Sequence, residues 1–282
     1  MIRRSSLSAI VFNRVKSIAQ WAALFAFVSP IASAGTPDAD LLERTAESAR
    51  QFWDQLSSVA ITENVLQEKF DPKGKVLLNN RTTYDYLITV RSDSGGMLVD
   101  ESRLATGQGS KKAPQGILLS TQGFATLLTI FHPQFQPSYT FKIDGEEETA
   151  GRRLVRVTFV PRNGAPSPAI LAIRGRDYPI AWEGTAWIEL QSGSVTRLEA
   201  HWKEPAEDLG LQSLSSEVQY VPITFRGQNQ PFWLPAMAKI DVQTRHQHWR
   251  NTHQFSRHRL FNVDAEAAVG TAPVSEVGNP QQ

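Results

Sequence analysis

Cysteine is absent from the 282 residues. That excludes disulfides, a thiol nucleophile, thiolate metal sites and a lipid-anchored cysteine, so the fold must be held by its core. Long apolar runs are missing as well: after the first three dozen positions no segment approaches the roughly 20 residues that a membrane-spanning helix needs. An excess of one charge is also lacking, with 29 Lys+Arg against 28 Asp+Glu. Acidic residues are missing altogether before Asp38, and this absence carries information. Arg3, Arg4, Arg14 and Lys16 lead into the apolar stretch "SIAQWAALFAFVS" and then Ala32-Ser33-Ala34 before Gly35. That order reads as a secretory signal peptide over residues 1–34, cleaved after Ala34. Arg14 and Lys16 interrupt what a twin-arginine signal would leave continuous. The remaining 248 residues carry 25 basic and 28 acidic side chains, a net charge of −3, which gives no reason to expect nucleic-acid binding. The expected compartment is the periplasm.

The segment from Thr36 reads as a helix. Thr36 is a plausible N-cap, Pro37 suits the first helical position, and Asp38 and Asp40 fall where the helix dipole favours negative charge. Leu42, Ala46, Ala49, Trp53 and Leu56 then recur at three- and four-residue spacing over about 20 residues. From Ala60 onward the period is two. Tyr84, Tyr86, Ile88 and Val90 alternate with Thr83, Asp85, Leu87 and Thr89, and Tyr139, Phe141 and Ile143 alternate with Thr140 and Lys142. Turn signals at Asp71–Gly74, Ser94–Gly96, Ala150-Gly151, Asn163-Gly164, Ser192-Gly193 and Arg226-Gly227 divide the chain into an antiparallel meander. Phe124, Leu127, Leu128 and Phe131 fit a short second helix stopped by Pro133. The 264–282 tail has no apolar periodicity and is expected to be disordered.

Roughly nine to eleven strands with one apolar face each would be too broad to lie flat and uncovered. The expected fold is mainly β (α+β). A single strongly curved antiparallel sheet would form an incomplete barrel over residues 35–263, with the N-terminal amphipathic helix and the short second helix across its mouth. A closed barrel or a two-sheet sandwich is the alternative.

Three stretches carry a family resemblance: "GTAWIELQSGSVTRLEAHW", "FWLPAMAKIDV" and the closing "NTHQFSRHRLF". With their strand order, the chain from about Leu41 to Val263 resembles the bacterial periplasmic lipoprotein-carrier superfamily, the LolA/RseB-like half-barrels. The loop "GQGSKKAPQG" and the tail beyond Asp264 depart from that pattern. The resemblance implies an apolar hollow that receives lipid or the acyl chains of a lipoprotein. Tyr84, Tyr86, Ile88, Tyr139, Phe141, Leu198, Trp202, Phe124 and Leu128 are the candidates for lining it. The resulting reading is a non-enzymatic periplasmic binder or carrier of an apolar ligand. The alternative is a protein-interaction or sensor module of the envelope with a filled interior.

Catalytic motifs are scarce. Ser94 in "SDSGGMLV" sits like a protease nucleophile, but the first histidine is His132, so the order His, Asp, Ser cannot be met. Asp177 and Glu183 are a carboxylate pair only by proximity in sequence, and Glu146–Glu148 reads as a solvated hairpin tip. The stretch 244–261, "TRHQHWRNTHQFSRHRLF", holds four of the six histidines and four arginines without an acid. His246, His248 and His253 could meet if "WRNT" turned, but four arginines would repel a dication and no carboxylate is near to orient the rings, so no metal is expected. As a plain reading these are polar side chains of two edge strands. As a functional reading, Arg245, Arg250, Arg257 and Arg259 form a basic rim that meets anionic head groups or an acidic envelope protein. No cofactor is implied.

Overall fold

The computed structural model describes residues 37–93, 96–106, 124–173, 176–203 and 210–261. The expected signal segment, the loop at 107–116, the centre of the Ser94–Gly96 turn and the 264–282 tail lie outside them.

Helix α1 spans Pro37–Leu56 and carries Asp38 and Asp40 in its first turn, as the spacing predicts. Its apolar stripe, with Leu41, Ala49, Phe52, Trp53 and Leu56, is buried. The strands that follow are β1 Val59–Phe70, β2 Val76–Asp93, β3 Gly96–Ala105, β4 Tyr139–Thr149, β5 Arg152–Pro161 and the short β6 Ile170–Ile173. Then come β7 Arg176–Pro179, β8 Trp182–Glu189, β9 Val195–Trp202, β10 Leu211–Ile223, β11 Phe232–Thr244 and β12 His248–Leu260. Ten of them make one antiparallel sheet in the order β3-β2-β1-β12-β11-β10-β9-β8-β5-β4, while β6 and β7 pair separately. Neighbours in this sheet are neighbours in sequence except where β1 meets β12 and β5 meets β8, so the meander is interrupted twice.

The expected incomplete barrel is not what forms. The sheet is neither closed nor strongly curled, with β3 and β4 as its two free edges, and α1 is the one α-helix among the described residues. The expected second helix is a 3-10 run, Phe124–Phe131, followed by a three-residue 3-10 turn at Gln136–Ser138. The argument for curling assumed an apolar face along the full length of every strand. The apolar face is shorter than that: β1 after Val65, β2 before Tyr84 and β4 after Ile143 are partly or wholly exposed. The part that is apolar is small enough for α1 and the 3-10 run to cover.

One row of paired residues shows how that face is built. His253, Ala238, Val218, Leu198, Ala186 and Val157 stand opposite one another across six successive strands, and all are buried. Onto these rows α1 and the 3-10 run pack aromatic side chains. Phe52 meets Tyr220 edge to face with ring centroids 5.8 Å apart, and Phe131 meets Phe159 at 6.1 Å. Gly184 is required where β8 and β9 approach, because a Cβ there would lie 1.9 Å from the carbonyl oxygen of Glu199. Gly193, in the left-handed region with φ of 72°, lets the β8–β9 turn press against α1; a Cβ would sit 2.7 Å from the backbone of Arg44. No helix of the described residues is long and apolar enough to cross a membrane.

Candidate functional site: a filled face, a groove beside the helix and a buried charge cluster

The residues expected to line a hollow mostly reach the inner face of the sheet, where they are packed. Tyr86, Ile88, Tyr139, Leu198, Trp202 and Leu128 are buried, and Tyr84 and Phe141 are half-buried at its margins. Phe124 opens the 3-10 run. The backbone N–H of Leu128 donates to the Tyr220 hydroxyl at 3.3 Å, which ties the 3-10 run to β10. Burial raises the pKa values of Tyr139 and Tyr220.

An open volume lies elsewhere, in a groove of about 1040 Å³ beside α1 at the end of the sheet that carries the β4–β5, β8–β9 and β10–β11 turns. Two hydrogen bonds fix the helix against the β8–β9 turn: Arg44 Nη2 donates to the Leu190 carbonyl at 3.2 Å, and the hydroxyls of Ser48 and Ser194 meet at 3.1 Å. The groove's apolar part is made by Pro222, Pro231 and Trp233, with the Arg152 guanidinium 5.6 Å from the Trp233 ring centroid. Its polar walls come from Gln51, Gln55, Gln191 and Gln230 and from three carboxylates, Glu43, Glu47 and Glu189. Hydrogen bonds from Arg50 and Gln51 hold the Glu47 carboxyl at about 2, so that wall stays charged. No local pattern points to this groove, because its residues come from α1, four strands (β5, β8, β10 and β11) and the β8–β9 and β10–β11 turns.

A second feature is buried near the β3 edge. Glu63 on β1 is wholly inaccessible and accepts hydrogen bonds from Arg103 Nε at 2.5 Å, Arg103 Nη2 at 3.0 Å and His253 Nδ1 at 2.7 Å. Arg103 also pairs with Glu101 at 3.0 Å, and its guanidinium lies 4.9 Å from the Tyr86 ring centroid. Burial by itself raises the pKa of Glu63, but the hydrogen bonds from His253 and Arg103 and the Arg103 charge outweigh it, leaving the carboxyl below its ordinary value. The pairings that assemble the cluster, Tyr86 with Arg103 and Val65 with His253, join residues as far apart as Glu63 and His253 in sequence. The one local signal was an acid at an apolar-face position of β1.

The His/Arg-rich stretch is laid out differently from either sequence reading. Its turn falls at 245–247, so "WRNT" continues inside β12, and both β11 and β12 are interior strands, not edges. Carboxylates do orient its side chains, arriving from neighbouring strands. Asp241 holds His248 Nε2 at 2.7 Å and Arg250 Nε at 2.9 Å, Glu63 holds His253, and Asp85 lies 3.4 Å from Arg259. Arg245 sits in the turn and Arg257 and Arg259 toward the other end of β12, so the four arginines span the strand's length. Burial lowers the pKa of His258, only partly offset by its contact with the Pro235 carbonyl. Among the described residues no group of three or more His, Asp or Glu side chains is placed to hold a metal. Glu183 on β8 pairs with His201 at 3.0 Å, whereas Asp177 belongs to β7 in the small separate sheet.

No protein-family model matches the sequence, and no curated protein matches it. Among solved structures the chain is distantly similar to a LolA superfamily protein from Nitrosomonas europaea. They share 11% identity and a TM-score of 0.35, over 77% of this chain and 94% of that one. It is similar to a DUF1329 family protein from Desulfovibrio piger at 12% identity and a TM-score of 0.38, over 82% and 95%. It is also similar to a Vibrio parahaemolyticus domain described as an outer membrane lipoprotein-sorting protein, at 10% and 0.35, over 80% and 95%. These are distant likenesses, and the functional reading below rests on this chain's own geometry.

Proposed function

We propose that this is an exported envelope protein that works by holding a protein partner on a rigid, filled sheet, and that it is neither an enzyme nor a lipid container. The observation that carries the reading is the packing of the inner face: Leu198 and Tyr86, expected to touch a ligand, are inaccessible. A carrier needs apolar surface to be free for its cargo, and here α1 and the 3-10 run cover it. The groove beside α1 fits a polypeptide segment better than an acyl chain. Trp233 and two prolines offer apolar contact, while glutamines and serines can answer the backbone hydrogen-bonding groups of an extended chain. Export rests on the signal segment 1–34, and the periplasm is the proposed compartment.

The reading is tested by native mass spectrometry of the purified mature chain together with titration of a fluorescent fatty acid. The expected result is a chain free of stoichiometric lipid that binds the probe no better than bulk protein does. In the same preparation Leu198→Glu should abolish the folded state, since an unpaired charge would enter a closed core. A photo-crosslinking residue at Gln51 or Gln230 should then give discrete protein adducts in the envelope. Stoichiometric co-purified lipid, lost from a still-folded Leu198→Glu variant, would overturn the proposal in favour of a carrier.

A further inference from the structure

The groove beside α1 differs from one end to the other, and the path of the chain tells the ends apart. The first half of α1 is tied to the β8–β9 turn through Arg44 and Ser48, and the helix then runs on to β1, which lies beyond β10, β11 and β12 in the sheet. The β10–β11 turn, with Gln230 and Pro231, therefore meets the later half of the helix. One end of the groove is built from carboxylates: Glu43 and Glu47 on successive turns of α1 and Glu189 at the end of β8. The other is amide and apolar, with Gln51 and Gln55 on the next two turns of the helix beside Gln230, Pro231 and Trp233.

Two observations show that the carboxylate end favours a cation. First, Glu47 is paired with Arg50 at 2.6 Å, but Glu43 and Glu189 are in no ion pair among the described residues; Glu189 accepts from the Ser192 hydroxyl. The two guanidiniums that reach the groove are held by the protein itself, Arg44 on the Leu190 carbonyl and Arg152 against the Trp233 ring. Second, the surroundings are acidic. Helix α1 carries Asp38, Asp40, Glu43, Glu47 and Asp54 against Arg44 and Arg50. The β4–β5 hairpin brings Glu146–Glu148 to the same end of the sheet against Arg152 and Arg153.

We propose that the segment held in the groove carries Lys or Arg at the Glu43–Glu189 end and an apolar side chain at the Trp233 end. This deepens the reading of the groove as a polypeptide site and rests on it. From Glu43 to Gln55 the helix advances about 18 Å at 1.5 Å per residue. An extended chain covers that distance in about five residues, so the basic and apolar side chains stand about five positions apart. The chain's own stretch 262–282 has Asp264, Glu266 and Glu276 and no base, so its charge does not match.

The test uses the full mature chain and fluorescein-labelled peptides read by anisotropy: Arg-Arg-Ser-Thr-Ser-Leu-Leu, its reverse, and the same two with Glu in place of Arg. The better Arg peptide should bind at least tenfold more tightly than either Glu peptide, and added salt should weaken it. Glu43→Lys, at an exposed side chain in no ion pair, should weaken the Arg peptide at least tenfold while the melting temperature holds. Glu189→Gln should act in the same direction by itself, and Trp233→Ala should weaken the same peptide from the other end. A photo-crosslinking residue at Gln51 reports separately on whether the groove is occupied. Envelope adducts whose yield Glu43→Lys leaves unchanged, or Glu peptides that bind as tightly as Arg peptides, would overturn the basic-residue assignment while the polypeptide reading stands. No adduct, and no peptide bound up to about 1 mM, would overturn both. Self-association of the chain that Glu43→Lys blocks would overturn the assignment by making the occupant a second copy.

Discussion

Replacing Glu63 by Gln tests the buried charge cluster as a structural element. The substitution keeps the shape and removes the charge that Arg103 and His253 share. The carboxylate is wholly buried and takes three hydrogen bonds of 2.5–3.0 Å, while the side chain of Arg103 is only 17% exposed. Without it Arg103 keeps Glu101, but His253 loses the carboxylate it faces. Breaking one side of a buried ionic arrangement costs about 3–5 kcal/mol. At about 2–4 °C per kcal/mol for a domain of this size, the melting temperature at pH 7 should fall by about 6–20 °C. The pH dependence gives a sharper check. The folded pKa of Glu63 is depressed below its ordinary 4.5. Its contribution is therefore complete above the unfolded value and lost as pH falls through the folded one. Calorimetry of wild type and variant should show a full gap in stability above pH ~5 that narrows on acidification below about 4.5. A melting temperature within about 2 °C of wild type at pH 7, or a gap that does not change down to pH 2, would refute the reasoning.

Gly184→Ala should destabilise by at least about 1–3 kcal/mol, the cost of forcing apart packed backbone, because the new Cβ would meet the Glu199 carbonyl at 1.9 Å; urea unfolding with an unchanged midpoint would contradict the close approach of β8 and β9. Processing at Ala34 should give exported protein that begins at Gly35, and N-terminal sequencing that found Met1 retained would contradict the signal reading.

Much of the local structure was legible because it depends on neighbours in sequence. The three- and four-residue spacing of α1, the two-residue alternation of β2, β4 and β9, and the turns at Asp71–Gly74 and Ser192-Gly193 all follow from side-chain direction and backbone preference. In β9, Leu198, Ala200 and Trp202 face inward and Arg197, Glu199 and His201 outward, as the alternation requires. Alternation tells which side chains share a face, but not what covers that face. The same period describes a lined hollow and a filled core, and only the docking of α1 on the sheet shows that this face is covered.

Charge was misread for a related reason. The 244–261 stretch has no acid of its own, and its carboxylates, Glu63, Asp85 and Asp241, arrive across strand pairings. The sequence by itself determined most of the elements and their inward and outward faces, both products of local spacing. Only the tertiary structure decided that the sheet stays open, that its face is filled, and which charges are paired. Those depend on the pairing of strands far apart in sequence, as Glu63 and His253 are, 190 residues apart.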